Sequence, residues 1–374
     1  MTGSSPLKIA LAVFRLTPAG GLEQHALRLA AELVRRGHAV TLVTTGAPAE
    51  APAGAEVLAL KLRGRTNHGR LAAFAEDAAC VAGRFDRSVA FHAIPGFDWL
   101  FVADPSRARP GPLRGLMPRY RTYAALEARA FAPSAGARVL CLSGAQRDAF
   151  ARHHGAPAER LLLLPPTVDR LRADPAAADP AFRAAARARF APDAAGPVWL
   201  WMGLQPLTKG LDRALRALAA APAATLLVSG LPPASRAARP MRALARRLGV
   251  ERRVAWLGFL ADDEVPAALA AADLLAHPSR ADVTGTVILE AMANGLPVIT
   301  TAVCGYGEHV VRAGAGVVLD EPFRQADLDA ALAAAAPERR ALWSAAALAY
   351  TGAGDLFSGL ARAAELIEAP EPSS

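Results

Sequence analysis

Short apolar runs alternate along this chain with longer stretches in which apolar positions recur every three or four residues. Residues 8–14 form the first run, 22–36 the first amphipathic stretch and 39–44 the second run. Further runs at 88–91, 137–142 and 161–164 are separated by segments with helical spacing. Apolar runs without polar alternation mark strands covered on both faces, and their alternation with helices predicts a parallel sheet wound with helices. The rhythm lapses over 165–193, a stretch rich in Pro, Ala and Asp that reads as a linker. It resumes with runs at 198–202, 224–229, 254–257, 274–276, 298–300 and 317–319. The expected class is α/β, with one doubly wound domain over 1–168 and a second over 194–351. The helical tail, 352–374, is expected to return to the first.

With 374 residues, 53% hydrophobic and 20% charged, the chain can build two sizeable cores and is too apolar to stay disordered. Its longest uncharged stretches, 217–235 and 291–307, are cut by Pro222, Pro232 and Pro233 or by Gly295 and Pro297. Each therefore reads as helix, turn and strand and not as a membrane span. The apolar run at 9–14 ends at Arg15 and is too short for a signal-peptide core, so a cytoplasmic protein is expected. Cys80, Cys141 and Cys304 lie far apart with no C-x-x-C pair, which predicts neither a disulfide framework nor a zinc site. The net charge is +8, and of 42 Lys and Arg only Lys8, Lys61 and Lys209 are Lys. Such a basic protein favours anionic surfaces.

Familiar fingerprints of other chemistries are missing. Gly20-Gly21, Gly305-x-Gly307 and Gly314-x-Gly316 all lack the third glycine of a nicotinamide or flavin loop. Neither a G-x-x-x-x-G-K-[ST] loop nor a G-x-S-x-G elbow occurs. The informative stretch is His277-Pro278-Ser279-Arg280-Ala281-Asp282-Val283-Thr284-Gly285-Thr286-Val287-Ile288-Leu289-Glu290-Ala291, a loop that leaves a strand and opens a helix. Free N–H groups at Gly285, Thr286 and Val287 are expected to point at an anion beyond the strand. Glu290, set among Val287, Leu289, Ala291 and Met292, is expected to be semi-buried and in need of donors. Two readings stay open for it: a ligand's hydroxyls supply the donors, or the acid pairs with an Arg in an ordinary helix.

The Asp282…Glu290 spacing resembles the E-x7-E motif of glycosyltransferase family 4, with Asp for the first Glu. Further stretches are similar to the type in that family that adds the first glucose to the inner-core heptose of lipopolysaccharide. They are Gly20-Gly21-Leu22, Thr66-Asn67-His68-Gly69-Arg70, Pro95-Gly96-Phe97-Asp98, Leu164-Pro165-Pro166, Lys209-Gly210-Leu211-Asp212-Arg213 and Thr300-Thr301-Ala302-Val303-Cys304-Gly305-Tyr306. The resemblance runs nearly end to end. It implies a GT-B fold of two facing Rossmann-like domains, retention at the anomeric carbon, no metal ion, and no cofactor beyond a nucleotide-sugar co-substrate such as UDP-glucose. A lipid-linked saccharide is the implied acceptor.

Carried over by position, the resemblance gives Glu290 to the ribose, Asp282 to hydroxyls of the transferred sugar and Lys209 to the diphosphate. Charge builds on that diphosphate as the glycosidic bond breaks, and a fixed ammonium with a helix N-terminus stabilises it by a few kcal/mol. Asp98 completes the expected catalytic set by contacting donor sugar or acceptor. Gly20 and Gly21 let backbone amides approach the donor, or else are simple turn glycines. Gly258 and Phe259 are expected to read the base through backbone groups, and His25, His68 and Arg70 to line the acceptor side, with a structural histidine in a turn as the alternative for His68. Three positions depart from the pattern: Asp282 is one methylene short, Thr208 stands where an Arg is common, and His25 replaces an acid. Arg280 or Arg213 is a candidate replacement for the missing cation.

Residues 105–131 carry Arg107, Arg109, Arg114, Arg119, Arg121 and Arg129 against a single acid, Glu127, interleaved with Leu113, Leu116, Met117, Tyr120 and Tyr123. That mixture predicts an interfacial segment on anionic lipid, with Arg114, Arg119, Tyr120, Arg121 and Tyr123 at the membrane. A solvated helix and a groove for a phosphorylated saccharide are the alternatives. No recognised module accompanies the charge, so nucleic acid is not an expected partner. The reading is thus a hexosyltransferase peripheral to the cytoplasmic face of the inner membrane. A homologue that binds without turnover and an epimerase with no acceptor are the competing readings.

Overall fold

The computed structural model describes residues 5–16, 21–46, 51–108 and 115–370. It divides into one unit of residues 1–165 with 358–374 and another of residues 166–357. The first holds strands β1 (Lys8–Ala12), β2 (Ala39–Thr44), β3 (Ala55–Ala59), β4 (Arg87–Ala90), β5 (Trp99–Phe101), β6 (Arg138–Cys141) and β7 (Leu161–Leu163). They form one parallel sheet in the order β3-β2-β1-β4-β5-β6-β7. Ile9, Ala10, Leu11 and Ala12 are all fully buried, as a strand covered on both faces must be. In the Gly21–Arg35 helix the buried residues are Ala26, Leu29, Ala30 and Leu33, the i, i+3, i+4, i+7 stripe of a core-facing helix. The last helix, Gly359–Glu368, packs against that same helix, and Glu368 reaches both Arg36 at 3.2 Å and His38 at 3.0 Å.

The second unit contains β8 (Val198–Met202), β9 (Thr225–Ser229), β10 (Val254–Gly258), β11 (Leu274–His277), β12 (Val298–Thr301) and β13 (Gly316–Leu319). These pair in parallel in the order β10-β9-β8-β11-β12-β13. The winding reverses between β8 and β11, and ligands of open α/β sheets settle beyond the carboxyl ends of strands at such a reversal. Two loops emerge there, one after Met202 and one after His277.

The stretch read as a linker, 165–193, is folded. Asp179 caps the Pro180–Phe190 helix by accepting from Ala181 and Phe182 at 2.8 and 3.1 Å, with Pro180 in the first turn. That helix packs on the Val265–Ala271 helix. A composition of Ala, Pro and Asp resembles a flexible spacer, yet Ala is also the best helix former, and capping decides between them. Among the described residues, no helix is long and apolar enough to cross a membrane.

Candidate functional site

Lys209 ends the loop that leaves β8. Its backbone carbonyl is held by Trp201 Nε1 at 2.9 Å, and Gly210 follows in the left-handed region, φ 74°. A Cβ on Gly210 would lie 1.9 Å from the Pro278 carbonyl oxygen, so only glycine lets this loop meet the one leaving β11. The encounter brings Lys209 Nζ to 2.7 Å from Asp282 Oδ2.

Asp282 is anchored at both oxygens. Oδ1 accepts from the Gly285 amide at 2.9 Å, and Oδ2 lies 3.0 Å from His277 Nε2 as well as against Lys209. Burial pushes the carboxyl pKa up, but the His277 and Lys209 contacts outweigh it and hold the group at about 2. Gly285 caps the Thr286–Ala293 helix with φ 74°, where a Cβ would meet Ile288 Cδ1 at 2.8 Å. The Gly285 amide, expected to be free for an anion, is therefore spent on Asp282. The amides of Thr286 and Val287 remain in the first turn, outside the i to i−4 ladder.

The Thr300-to-Tyr306 stretch is the clamp on this loop. Thr300 Oγ1 donates to the His277 carbonyl at 3.0 Å and Thr301 Oγ1 to the Ser279 carbonyl at 2.8 Å. Asp282 and Cys304 form a β-bridge, while the Gly305 and Tyr306 amides donate to the carbonyls of Asp282 and Thr284 at 3.2 and 2.7 Å. A His277 ring nitrogen, an Asp282 oxygen and Cys304 Sγ come within 4.8 Å of one another. Burial, with Asp282 beside it, pushes the Cys304 thiol pKa up. A thiol held protonated and a carboxylate already countered by an ammonium make a poor cation cage.

Glu290 is 2% exposed and its Oε1 lies 3.0 Å from Arg172 Nη1. Arg172 lies in the 165–193 stretch and carries no motif, so the sequence gives no sign of this contact. Asn294 positions it by donating from Nδ2 to the Arg172 carbonyl at 2.8 Å and accepting from the Asp174 amide at 3.1 Å. The Arg-paired arrangement is thus the one observed for Glu290.

Both candidate substitutes for the missing cation have partners in this structure. Arg280 forms a two-pronged pair with Asp212 at 2.7 and 2.8 Å, and Arg213 Nη1 donates to the Pro278 and Ser279 carbonyls at 3.1 and 3.0 Å. Both guanidiniums brace the loop from behind. Gly258 ends β10 on the carboxyl edge of the sheet, where its carbonyl accepts from the Gly230 amide at 2.7 Å, and the neighbouring Phe259 ring is exposed.

In the first unit, Gly20, Arg109, Leu113 and Arg114 lie outside the described residues. Gly21 opens its helix with clear space around it, so neither crowding nor backbone angle requires glycine there. His25 is half-buried against the Phe101 ring at 5.6 Å, and burial with Arg28 nearby lowers its pKa to about 4. His68 and Arg70 have local partners: His68 Nε2 lies 3.2 Å from the Thr66 hydroxyl that caps the Asn67–Ala82 helix, and Arg70 Nε donates to the Gly64 carbonyl at 3.0 Å.

Asp98 does not fit the catalytic role expected of it. Its Oδ2 accepts from the Ser88 amide at 2.7 Å and the Ser88 hydroxyl at 2.8 Å, where β4 and β5 begin. That is the amino edge of a parallel sheet, opposite the edge where substrates of such sheets bind. The carboxylate joins two strand starts. At the carboxyl edge stands His92, which belongs to none of the motifs. It is followed by a cavity of about 180 Å³ lined by Phe14, His92, Asp104, Arg107, Tyr123 and Glu127 among others. A polar residue directly after an apolar run was the available signal.

The basic Pro118–Phe131 helix separates two kinds of residue. Arg119 and Arg121 are exposed, Arg119 lies over the Tyr120 ring at 4.8 Å, and Leu116 just before the helix is 77% exposed. Tyr123 is turned inward, beneath Arg107 at 4.8 Å and lining the cavity, so it is not part of the outward face. Glu127, 3% exposed, accepts from the Ser106 hydroxyl and the Arg107 amide at 2.7 and 2.8 Å and lies 2.7 Å from His154 Nε2.

Comparison with known proteins gives concordant results for the two halves. Residues 183–346 match the model of glycosyl transferases group 1, and residues 19–172 match that of Glycosyltransferase Family 4. The lipopolysaccharide glucosyltransferase WaaG of Escherichia coli (strain K12) is 33% identical over 378 residues, covering 96% of this chain and 98% of that protein. The D-inositol 3-phosphate glycosyltransferase of Rhodococcus jostii (strain RHA1) is 36% identical over 192 residues, 49% of this chain and 41% of that one. The crystal structure of WaaG, a glycosyltransferase involved in lipopolysaccharide biosynthesis, superposes with a TM-score of 0.86 at 33% identity, covering 96% of this chain and 99% of that one. Anabaena Alr3699/HepE in complex with UDP-glucose gives 0.72 at 21% identity, covering 96% and 98%, a likeness of fold alone. With both halves matched and a relative 33% identical along 96% of its length, the chain belongs to the glycosyltransferases of group 1 and family 4, in the GT-B fold.

Proposed function

We propose that this glycosyltransferase moves glucose from UDP-glucose, with retention and without a metal ion, onto a lipopolysaccharide core saccharide at an anionic membrane surface. The observation that carries the reading is the Lys209–Asp282 contact of 2.7 Å beyond the carboxyl ends of β8 and β11. A loop braced by Trp201 and Gly210 brings an ammonium to this edge, and the Thr286 and Val287 amides add a helix N-terminus to it. Together they offset charge as it builds on a departing diphosphate, by a few kcal/mol. The donor and acceptor are inferred from the relative of 33% identity, which is named a lipopolysaccharide glucosyltransferase.

Chemistry follows from what surrounds the anomeric carbon in this reading. Asp282 is ionised and held by two hydrogen bonds and an ammonium, an arrangement that orients sugar hydroxyls and leaves it a poor nucleophile. The departing phosphate oxygen then takes the proton of the incoming hydroxyl on the same face. Glu290 would exchange its Arg172 contact for ribose hydroxyls or share itself between them. Exposed Leu116, Met117, Arg119 and Arg121 supply the lipid contact.

Product stereochemistry tests the reading. The anomeric configuration of the new linkage, read by NMR from a reaction in a metal chelator, should match that of the donor; an inverted linkage, or dependence on a divalent cation, would reject it. Binding without turnover is the second reading, and it draws on Thr208 and on the engagement of Arg280 and Arg213, which leave Lys209 with less cationic help. Calorimetry showing UDP-glucose bound but neither hydrolysed nor transferred would favour it.

A further inference from the structure

We propose that His277 is a positioning residue which keeps the Asp282 carboxylate in place when Lys209 turns to the diphosphate, an inference that rests on the transferase reading above. His277 closes β11 and is 1% exposed. Its Nε2 lies 3.0 Å from Asp282 Oδ2 and 3.0 Å from Ser279 Oγ, while its Nδ1 is buried with no hydrogen-bond partner. A proton on Nδ1 would be stranded away from any acceptor, so the proton sits on Nε2 and points at Asp282. The backbone that carries the ring is held as well, because the His277 carbonyl accepts from Thr300 Oγ1 at 3.0 Å.

Lys209 shares Oδ2 with His277, and the two contacts differ in kind. The ammonium rides on a flexible four-carbon stem and responds to charge, whereas the imidazole is buried and cannot follow. A diphosphate at this edge carries more negative charge than one carboxylate and draws the ammonium toward itself. Asp282 then keeps the His277 N–H on Oδ2 and the Gly285 amide on Oδ1. Two anchors suffice to fix a side chain with only two torsions. Without His277 the carboxylate would follow Lys209 or rotate, and the sugar hydroxyls would lose their acceptor.

The experiment compares the full-length protein with His277→Leu and His277→Gln, measuring melting temperature, affinity for UDP and for UDP-glucose, and turnover. The Leu variant should bind UDP within about twofold of the parent yet lose 10- to 100-fold in kcat, the equivalent of one hydrogen bond to a charged group. It should also lose the affinity margin of UDP-glucose over UDP. Gln, whose amide nitrogen reaches the Nε2 position, should restore most of both. Undiminished kcat in the Leu variant, equal losses for Leu and Gln, or UDP affinity falling in step with melting temperature would each overturn the positioning role. If the parent protein itself turns over no nucleotide sugar, the transferase reading is what fails, and the affinity margin still decides the role of His277.

Discussion

Lys209 Nζ and Asp282 Oδ2 lie 2.7 Å apart, joining the loop that leaves β8 to the loop that leaves β11. The contact closes the reversal point of the second sheet with one positive and one negative group, each held by its own loop. Lys209 is therefore expected to matter to chemistry far more than to folding. Lys209→Met should lower kcat/KM for glucose transfer by about 100-fold or more, as loss of one charge stabiliser does. Melting temperature should change little, because Asp282 keeps His277 and Gly285. A tenfold or smaller loss would move the diphosphate elsewhere.

The same carboxylate ties stability to pH. Its folded pKa is about 2 against an ordinary 3.8, so it contributes stability that is fully present above pH 3.8 and lost as pH falls toward 2. The contribution is on the order of 2 kcal/mol. Urea unfolding of the parent and Asp282→Asn should differ by about that amount at pH 6, with the gap closing between pH 4 and pH 2. A gap that stays constant with pH would mean that the carboxylate is not held by its partners.

Gly210 permits the encounter of the two loops. Gly210→Ala puts a methyl group onto the Pro278 carbonyl oxygen at a backbone angle of 74°. Destabilisation of at least about 2 kcal/mol is expected from strain at a special backbone position. Denaturant unfolding should show it, along with a raised KM for the nucleotide sugar. A fully stable Ala variant would mean that the loops can part at little cost.

The exposed arginines of the Pro118–Phe131 helix should govern membrane recruitment. Each Arg near an anionic surface contributes about 1 kcal/mol, and reversal to Glu adds repulsion. Arg119→Glu with Arg121→Glu should thus cut co-sedimentation with phosphatidylglycerol vesicles by well over tenfold and leave binding of soluble UDP-glucose intact. Equal sedimentation of parent and variant would remove the membrane from the account.

The inner strands were legible because they are buried on two faces, which leaves apolar runs such as 9–14 and 198–202; β3, an edge strand with mostly exposed residues, and β5, only three residues long, leave no such run and were not expected. The His277–Glu290 loop was legible for another reason: glycine, threonine and acid at a strand-to-helix turn are local chemistry. What failed was long-range. Asp98 stands in a motif-like stretch, but only strand register reveals that its partner is Ser88 at the amino edge. The pairing of Glu290 with Arg172 spans more than a hundred residues and joins a motif to an apparent spacer. Arg280 and Arg213 are basic in composition, and only geometry shows them spent on Asp212 and on carbonyls. Gly285 was placed correctly at the helix start, but the acid three residues earlier had already claimed its amide.

Lys209 is expected to receive the diphosphate of a nucleotide sugar at the edge of β8 and β11. A crystal structure with UDP-glucose, or with a fluorinated analogue that cannot turn over, tests it most directly. The account predicts a phosphate oxygen within hydrogen-bond distance of Lys209 Nζ and of a Thr286 or Val287 amide, with Asp282 on the sugar and still on His277. A diphosphate bound elsewhere, with Lys209 unmoved on Asp282, would contradict it.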